Sequence, residues 1–401
     1  FLNMMGHYIV KEEAIKSEFI KKFTEQYESF YTHVMSLDMD HLEQLTGVSK
    51  ELVKNAALAY ARSESAMELH GLGVTEHFQG SKTVMLLSNL AMMTGNIGRP
   101  GVGLNPLRGQ NNVQGAADMG VQPHQGAGYM DVNDPEIQDY YAQKYGIPSM
   151  PEKEGLKIPE MLDAAISGKF KAMWIMGEDT LMTDPNTMHI RKAMEQLDIL
   201  IVQELFMSAT AEMADVVLPA SSYFEKNGTF TNGERRVQRV NKVIDPIGNT
   251  KSDGQMIIDM MSRLGYEQPT GPVYDAEKLL EEISDVIPFM SGISWDRLGQ
   301  NGLQWPVLND GTDTKIIHQN GAFKRGKGKF HHFDFEETPE LVEHRKKYPF
   351  ILTTARQLEH YNAGTMTRRT DNQELSPMDY LEVNPLDAAD KNIAADDDVK
   401  I

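Results

Sequence analysis

The 401-residue sequence contains no cysteine. Disulfide bonds and metal sites built on thiolates are therefore excluded within it. A chain without disulfides is typical of a reducing compartment, so we expect a cytoplasmic location. The twelve histidines form no recognisable metal-binding pattern, and we expect no metal ligand in this sequence.

The sequence also lacks long apolar runs and an excess of basic residues. Its longest apolar candidate, residues 84–93, is interrupted by Ser88 and Asn89 and falls short of the roughly 20 residues that span a bilayer. The 39 Lys and Arg residues against 58 Asp and Glu residues give a net charge of −19. Such a chain would repel phosphate backbones, so we expect neither a membrane span nor a nucleic-acid partner.

Short apolar runs alternate with helical patterns along the chain. The segments AMELHG, FKAMWIMG, DILIVQE and DVVLPA read as strands, and helical patterns separate them. This alternation predicts an α/β fold of Rossmann-like three-layer domains with mostly parallel sheets. Beyond them, residues 348–356 begin a more β-like segment.

The stretch TGNIGRPGVGLNPLRGQNNVQGAADMG, residues 94–120, is rich in glycine and poor in large apolar residues. The amides of Asn111, Asn112 and Gln114 closely follow the cation of Arg108. Glycines let a backbone approach a ligand, and a guanidinium suits a carboxylate or phosphate. The alternative is a structural loop with Arg108 in a surface ion pair; we favour the binding interpretation.

Polar residues follow two neighbouring predicted strands. Glu178 and Asp179 come after one strand, and Gln203 and Glu204 end the next. The carboxyl ends of parallel strands share one edge, where ligands bind in open α/β sheets. Carboxylates there could accept hydrogen bonds from a purine or a ribose. The alternative is that Asp179 or Asp184 only caps the following helix.

Residues 94–120 closely resemble the signature segment of formate dehydrogenase catalytic subunits, which belong to the molybdopterin oxidoreductases. The blocks MGEDTLMTDPN, VQELFMSATAEMADVVLPASSYFEKNGTFTNGERRVQRV and LTTARQLEHYNAGTMTRRT resemble later blocks of the same family, in the same order. The resemblance covers most of the chain from about Gly71 onward.

The resemblance implies a role for individual residues. Arg108 matches the arginine that orients the carboxylate of formate beside the metal. Other positions match cofactor contacts, namely Glu76, Gln110, Gly177, Glu178, Asp179, Thr183, Gln203, Glu204, Lys226, Asp253, Arg356, Gln357, Leu358, His360 and Tyr361. Residues 178–183 look like a guanosine-binding loop, and Gln110 lies in a loop that lines the pterin. Glu76 stands where the family often has Gln.

The resemblance also implies a domain organisation. Residues 1–110 correspond to part of a Rossmann-like molybdopterin-binding domain. Residues 111–340 correspond to a second α/β dinucleotide-binding domain with inserted segments. Residues 341–401 correspond to the start of a C-terminal β-barrel that binds the molybdopterin dinucleotide.

Some family features are missing from this sequence. The iron–sulfur cysteines, the Cys or selenocysteine metal ligand and the catalytic His of the family lie upstream of the matching region, and Ala117 stands where the family often has Cys. We therefore expect a central and C-proximal fragment of a catalytic subunit. Alone, it should be inactive, bind the cofactor poorly and tend to associate.

The implied function is oxidation of formate to carbon dioxide. The implied cofactor is bis-molybdopterin guanine dinucleotide with molybdenum or tungsten, and the implied partners are formate and an electron-transfer subunit or acceptor reached through an iron–sulfur relay. Two alternatives remain open at this point. One is another molybdopterin oxidoreductase, acting on nitrate or another oxyanion, and the other is a metal-free structural subunit of an electron-transfer complex.

Overall fold

The computed structural model describes residues 1–266 and 270–399. It divides into two compact units, each built from two separate stretches of chain. The first unit comprises Phe1–Ile158 and Ala220–Ile351, and the second comprises Pro159–Pro219 and the chain from Leu352 on. The predicted domain boundaries after residues 110 and 340 stay a prediction.

Helices and short strands alternate through the described residues. The helices are α1 Leu2–Lys11, α2 Ser17–Phe23, α3 Tyr27–Met35, α4 Met39–Thr46, α5 Lys50–Arg62, α6 Leu72–Thr75, α7 Gly80–Thr94, α8 Val113–Asp118, α9 Pro135–Tyr145, α10 Ile158–Ile166, α11 Thr180–Thr183, α12 Thr187–Met194, α13 Ala209–Glu212, α14 Asp253–Arg263, α15 Ala276–Val286, α16 Trp295–Leu298, α17 Pro339–His344, α18 Asn372–Leu375 and α19 Pro385–Lys391. The strands are β1 Thr24–Glu25, β2 Met67–His70, β3 Gly103–Pro106, β4 Ala172–Met176, β5 Ile199–Glu204, β6 Val216–Pro219, β7 Gly228–Thr231, β8 Arg236–Val240, β9 Leu303–Gln304 and β10 Gly328–Lys329.

The first unit contains three small sheets within its described residues. β1 pairs in parallel with β10, and β2 pairs in parallel with β3. The chain between β2 and β3 passes through α6 and α7, as a parallel pair requires a crossover. β7, β8 and β9 form an antiparallel sheet in that order.

Two hydrophobic cores stabilise the first unit. One lies where α1 packs against α3, α5 and α7, and its most buried side chains include Met4, Ile9, Phe30 and Met93. α5 begins directly after Ser49, whose side chain accepts a hydrogen bond from the Leu52 N–H. The other core joins β8 to α15 and the segment that follows it.

The second unit is built on a parallel sheet in the order β4–β5–β6. α11 and α12 connect the first two strands, and α13 connects the last two. Apolar side chains of β4 and β5 pack with α10, α12 and α13 in one core. The predicted α/β fold class with mostly parallel sheets is thus confirmed.

The described part of the C-terminal segment, residues 341–399, contains no strand. The β-like segment predicted at 348–356 has no regular secondary structure, and the side chains of Ile351 and Leu352 are 77% and 60% exposed. A strand exists only where a neighbouring strand accepts and donates its backbone hydrogen bonds. The described residues provide no such neighbour, so the start of a β-barrel is not seen.

Candidate functional site

The parallel pair of β2 and β3 places Arg108 just beyond the end of a sheet. His70, the last residue of β2, lies opposite Pro106, the last residue of β3. The Leu107 N–H donates to the His70 carbonyl at 2.7 Å and extends the ladder by one residue. Arg108 therefore leaves the sheet at its carboxyl edge, where α/β proteins bind ligands.

A cavity of about 590 Å³ lies at this edge, within the first unit. Both Arg108 and Gln110 line it, together with the glycine- and amide-rich chain around them. The opposite wall comes from the turn between β7 and β8. The lining residues are Met67, Leu69, Asn105, Pro106, Leu107, Arg108, Gly109, Gln110, Asn111, Asn112, Phe230, Thr231, Asn232, Gly233, Glu234 and Gln238.

Arg108 is exposed, but one edge of its guanidinium is fixed. Its Nε donates to Gln114 Oε1 at 2.9 Å. This bond uses one of five N–H donors, and the other four lie on the two terminal nitrogens. A guanidinium held at Nε can present those terminal nitrogens as a planar pair to a carboxylate.

The loop that carries Arg108 is tied to the far wall of the cavity by Asn112. Its side-chain Oδ1 accepts a hydrogen bond from the Thr231 N–H of β7 at 2.9 Å. Asn112 has a φ of 64°, in the left-handed region that Asn tolerates better than most residues. A Cβ on Gly115 would lie 2.0 Å from Asn112 Oδ1, so the bond requires glycine at that position.

His70 is a buried residue beside the site that the sequence did not single out. Its side chain is 8% exposed, and its Nδ1 has no hydrogen-bond partner among the described residues. Burial lowers the pKa of His70, and the positive charge of Arg108 lowers it further. A neutral imidazole is thereby favoured next to the guanidinium.

Glu76 does not reach this cavity. It is the C-cap residue of α6 and is exposed, and it is not among the cavity-lining residues. Its predicted cofactor contact stays a prediction.

Lys226 and Asp253 are brought together in a different part of the first unit. The Lys226 Nζ donates to Asp253 Oδ2 and also to the Ser221 carbonyl, the latter at 3.3 Å. Lys226 lines a second cavity of about 600 Å³, together with Lys242 and Lys251. Each lysine is paired with an aspartate, so this cavity is not strongly basic.

In the second unit, the predicted residues of the two strand ends meet. The Gly177 N–H donates to the Gln203 carbonyl at 2.9 Å, which continues the pairing of β4 with β5. The Thr183 hydroxyl donates to the Glu178 carboxylate and closes the loop after β4. Glu204 lies at the end of β5, on the same edge.

Asp179 joins this loop to α13. Its Oδ1 accepts hydrogen bonds from the Thr210 N–H at 3.0 Å and from the Thr210 hydroxyl at 2.7 Å. The side chain makes no capping bond to α11, although Asp179 is its N-cap residue. The capping alternative is therefore wrong for Asp179, and Asn186 rather than Asp184 caps α12.

The carboxylates at this edge influence one another. Burial raises the pKa of Glu204, and the negative charges of Asp179 and Glu178 raise it further. A cluster of three acidic side chains at one strand edge is suited to a ligand that offers several hydrogen-bond donors.

The predicted residues at 356–361 mostly hold their own segment together. His360 is 5% exposed, and its Nε2 donates to the Ser376 carbonyl at 2.8 Å. Gln357 donates to the Ser376 hydroxyl, and Arg356 donates to the Asn362 carbonyl at 3.2 Å. Leu358 is 88% exposed. The Tyr361 N–H donates to the Thr367 hydroxyl at 3.1 Å.

In residues 1–266 and 270–399, no three acidic or histidine side chains converge in a way that could hold a metal ion. Within the same residues, every helix is too short or too polar to cross a bilayer.

Known proteins share both the sequence and the fold. The family model described as molybdopterin oxidoreductase matches residues 2–263, and the one described as molydopterin dinucleotide binding domain matches residues 350–401. The F420-dependent formate dehydrogenase subunit alpha of Methanocaldococcus jannaschii is 41% identical over 100% of this chain and 59% of its own length. Formate dehydrogenase H of Escherichia coli is 37% identical over 91% of this chain and 51% of its own length.

This chain therefore spans between half and three fifths of these relatives. Among solved structures, acetylene hydratase from Pelobacter acetylenicus superposes with a TM-score of 0.66 at 18% identity, over 98% of this chain and 58% of that one. At that identity the likeness concerns the fold alone. The first family model matches well over half of the chain, and by this match the chain belongs to the molybdopterin oxidoreductase family.

Proposed function

We propose that this chain forms the formate-binding and dinucleotide-binding part of a molybdopterin-dependent formate dehydrogenase. The relatives that match the whole chain are named as subunits of such enzymes. The observation that carries the proposal is Arg108, an exposed guanidinium held by its Nε at the wall of an amide-rich cavity.

Arg108 suits a small carboxylate for a geometric reason. Two parallel N–H donors match the two oxygens of a carboxylate, and such charge-assisted pairs are about twice as strong as neutral hydrogen bonds. Apart from its carboxylate, formate has only a C–H bond, so the carboxylate is the group through which a protein can bind it. A guanidinium fixed at Nε would therefore set the direction of that C–H bond as well as bind the anion.

The residues around Arg108 also suit a pterin. Its ring edges carry alternating hydrogen-bond donors and acceptors, and side-chain amides such as those of Gln110 and Asn111 can match both. When bound, the molybdopterin centre with molybdenum or tungsten would supply the two-electron redox chemistry. The residues of this chain would bind and orient formate and the cofactor, and the electrons would pass to an iron–sulfur relay and a partner acceptor.

The strand edge of the second unit suits the guanosine end of the cofactor. Guanine presents an N–H and an exocyclic amino group side by side, and both are donors. The carboxylates of Glu178, Asp179 and Glu204 are acceptors that lie at one edge. We propose that Thr183 completes this surface and that Gln203, which is 0% exposed, supports it through the bond of its carbonyl to the Gly177 N–H. Gly177 allows the loop its left-handed turn, with a φ of 64°.

Other residues of the chain would add contacts to the cofactor. Lys226, oriented by Asp253, is a donor suited to a phosphate oxygen. Contacts at the cofactor surface would also come from Glu76 of the first unit. The segment from Arg356 to Tyr361, with Gln357, Leu358 and His360, would add others.

The proposal is tested by Arg108→Lys in the full-length, metal-loaded protein. Lysine keeps the charge but has neither Nε nor the paired donors. Loss of a charge-assisted pair costs about 1.5–3 kcal/mol, so we expect kcat/KM for formate to fall about 10- to 100-fold. Steady-state kinetics with an artificial electron acceptor measures this.

Arg325→Lys is the matched control. Arg325 is a surface arginine that pairs with Glu25 at 2.7 Å and lies outside the Arg108 cavity. Both variants are compared at equal metal content. Unchanged formate kinetics in Arg108→Lys would refute the role given to Arg108.

A further inference from the structure

A chain of hydrogen bonds runs inward from Arg108 to a buried carboxylate. Arg108 Nε donates to Gln114 Oε1 at 2.9 Å, and Gln114 Nε2 donates to Asp118 Oδ1 at 2.8 Å. Gln114 and Asp118 are four residues apart on α8, so their side chains lie on one face of that helix. They are 5% and 0% exposed.

Asp118 is fixed from three sides. Besides Gln114, the Tyr129 hydroxyl donates to its Oδ1 at 2.6 Å and the Trp305 Nε1 donates to its Oδ2 at 2.9 Å. Burial raises the pKa of Asp118, while these hydrogen bonds and the charge of Arg108 oppose the rise. An indole N–H can only donate, so Trp305 requires an acceptor oxygen at this position. Trp305 also packs against the core that includes Ile287 and Val307.

The direction of each bond follows from the next one inward. Because the carboxylate of Asp118 accepts, the amide nitrogen of Gln114 must face it. The amide oxygen of Gln114 then faces outward, and it is the atom that accepts from Arg108 Nε. A reversed amide would place a donor against a donor, which is unfavourable.

We propose that Gln114 and Asp118 are positioning residues that set the orientation of the Arg108 guanidinium for its carboxylate ligand. The inference rests on the proposed function of Arg108. Neither residue lines the cavity, so both act through Arg108 rather than on the ligand.

The test is a double-mutant cycle in the full-length holoenzyme. Gln114→Met keeps the length and volume of the side chain and removes its three hydrogen bonds, which join it to Arg108, Asp118 and Tyr129. We expect kcat/KM for formate to fall about tenfold or more in the wild-type background, mainly through KM, as for a lost hydrogen bond to a charged group. In the Arg108→Lys background, Gln114→Met should change kcat/KM by less than about threefold, because lysine has no Nε to orient.

A second readout does not depend on turnover. An arginine-specific dicarbonyl reagent is applied, and modification of Arg108 is followed by peptide mass spectrometry. Without its Nε bond the guanidinium is less restrained, so we expect Arg108 to react several-fold faster in Gln114→Met. Asp118→Asn, which keeps the shape of the side chain but removes its charge, should show the same change. Arg325 serves as the internal reference.

The outcomes separate this inference from the proposed function. Arg108→Lys could strongly reduce formate turnover while Gln114→Met and Asp118→Asn leave the kinetics and the reactivity of Arg108 unchanged. In that case the positioning role is wrong and the proposed function stands. Equal losses from Gln114→Met in both backgrounds would show a structural effect and would also overturn it. If Arg108→Lys itself has no effect, the proposed function fails first.

Discussion

At the residue scale, Glu68 is a carboxyl group whose burial disfavours its ionised form. It lies on β2 between Met67 and Leu69, which line the Arg108 cavity, and its own side chain points to the opposite face of the strand. Both of its carboxyl oxygens are buried. Burial raises the pKa of Glu68 to about 7, and the neighbouring Tyr60 hydroxyl offsets only part of this rise.

The raised pKa of Glu68 predicts a pH-dependent loss of stability. The folded protein holds a proton on Glu68 that the unfolded chain releases at its ordinary pKa of 4.5. The stabilisation is therefore complete below that pKa and is lost as the pH rises through about 7. Glu68→Gln removes the ionisation, so its advantage over wild type should grow as the pH rises.

Calorimetric unfolding of the full-length protein measures this effect. From about pH 5 to about pH 8, we expect the unfolding temperature of Glu68→Gln to gain about 2–4 °C on wild type, which corresponds to roughly 2–3 kcal/mol. Glu51→Gln, on the exposed side of α5, is the control and should keep a constant offset. A constant offset for Glu68→Gln as well would show that Glu68 is not held protonated.

At the scale of elements, the loop before α8 determines the shape of the Arg108 cavity. It is joined to β7 through Asn112 and Thr231, and it leads into the helix that carries Gln114 and Asp118. Gly115 lies where this helix passes the Asn112 side chain. The geometry of the loop therefore depends on the absence of a Cβ at Gly115.

Gly115→Ala tests this dependence. The added methyl group would displace Asn112 from Thr231, so the loop should separate from β7. We expect a loss of about 1–3 kcal/mol of stability and a raised KM for formate. Gly155→Ala is the control, because its Cβ would make only an ordinary contact with Pro123 at 3.6 Å. Equal behaviour of the two variants in unfolding and kinetics would contradict the role given to Gly115.

Much of the element pattern could be predicted from the sequence, and the reasons are physical. The strands β4, β5 and β6 are apolar runs bounded by polar residues, a local signal that needs no knowledge of the rest of the fold. Their parallel order places Glu178 and Glu204 on one edge, as predicted. Residues 348–356 have the composition of a strand, but strand formation depends on a partner that local composition does not specify.

The residues that position Arg108, Gln114 and Asp118, were harder to predict from the sequence. Gln114 stood out as one of several amides, whereas Asp118 did not stand out at all. Their spacing of four residues is a signal only once α8 is known to be a helix, and that helix starts from a left-handed Asn112. The partner of Asp118, Trp305, lies 187 residues away in the chain, and no local pattern connects the two.

At the scale of the whole molecule, each candidate surface belongs to one unit. The Arg108 cavity and the pair Lys226–Asp253 lie in the first unit, and the acidic strand edge lies in the second. The relatives are longer than this chain, so the activity of the whole protein is best measured on the full-length form.

The activity that we propose for the whole protein is the oxidation of formate. The direct measurement is anaerobic turnover of ¹³C-formate by the full-length, metal-loaded protein with a one-electron dye as acceptor. We predict labelled carbon dioxide and two molecules of reduced dye for each formate consumed. Metal-loaded protein that forms no labelled carbon dioxide, yet turns over nitrate or another oxyanion, would contradict the account.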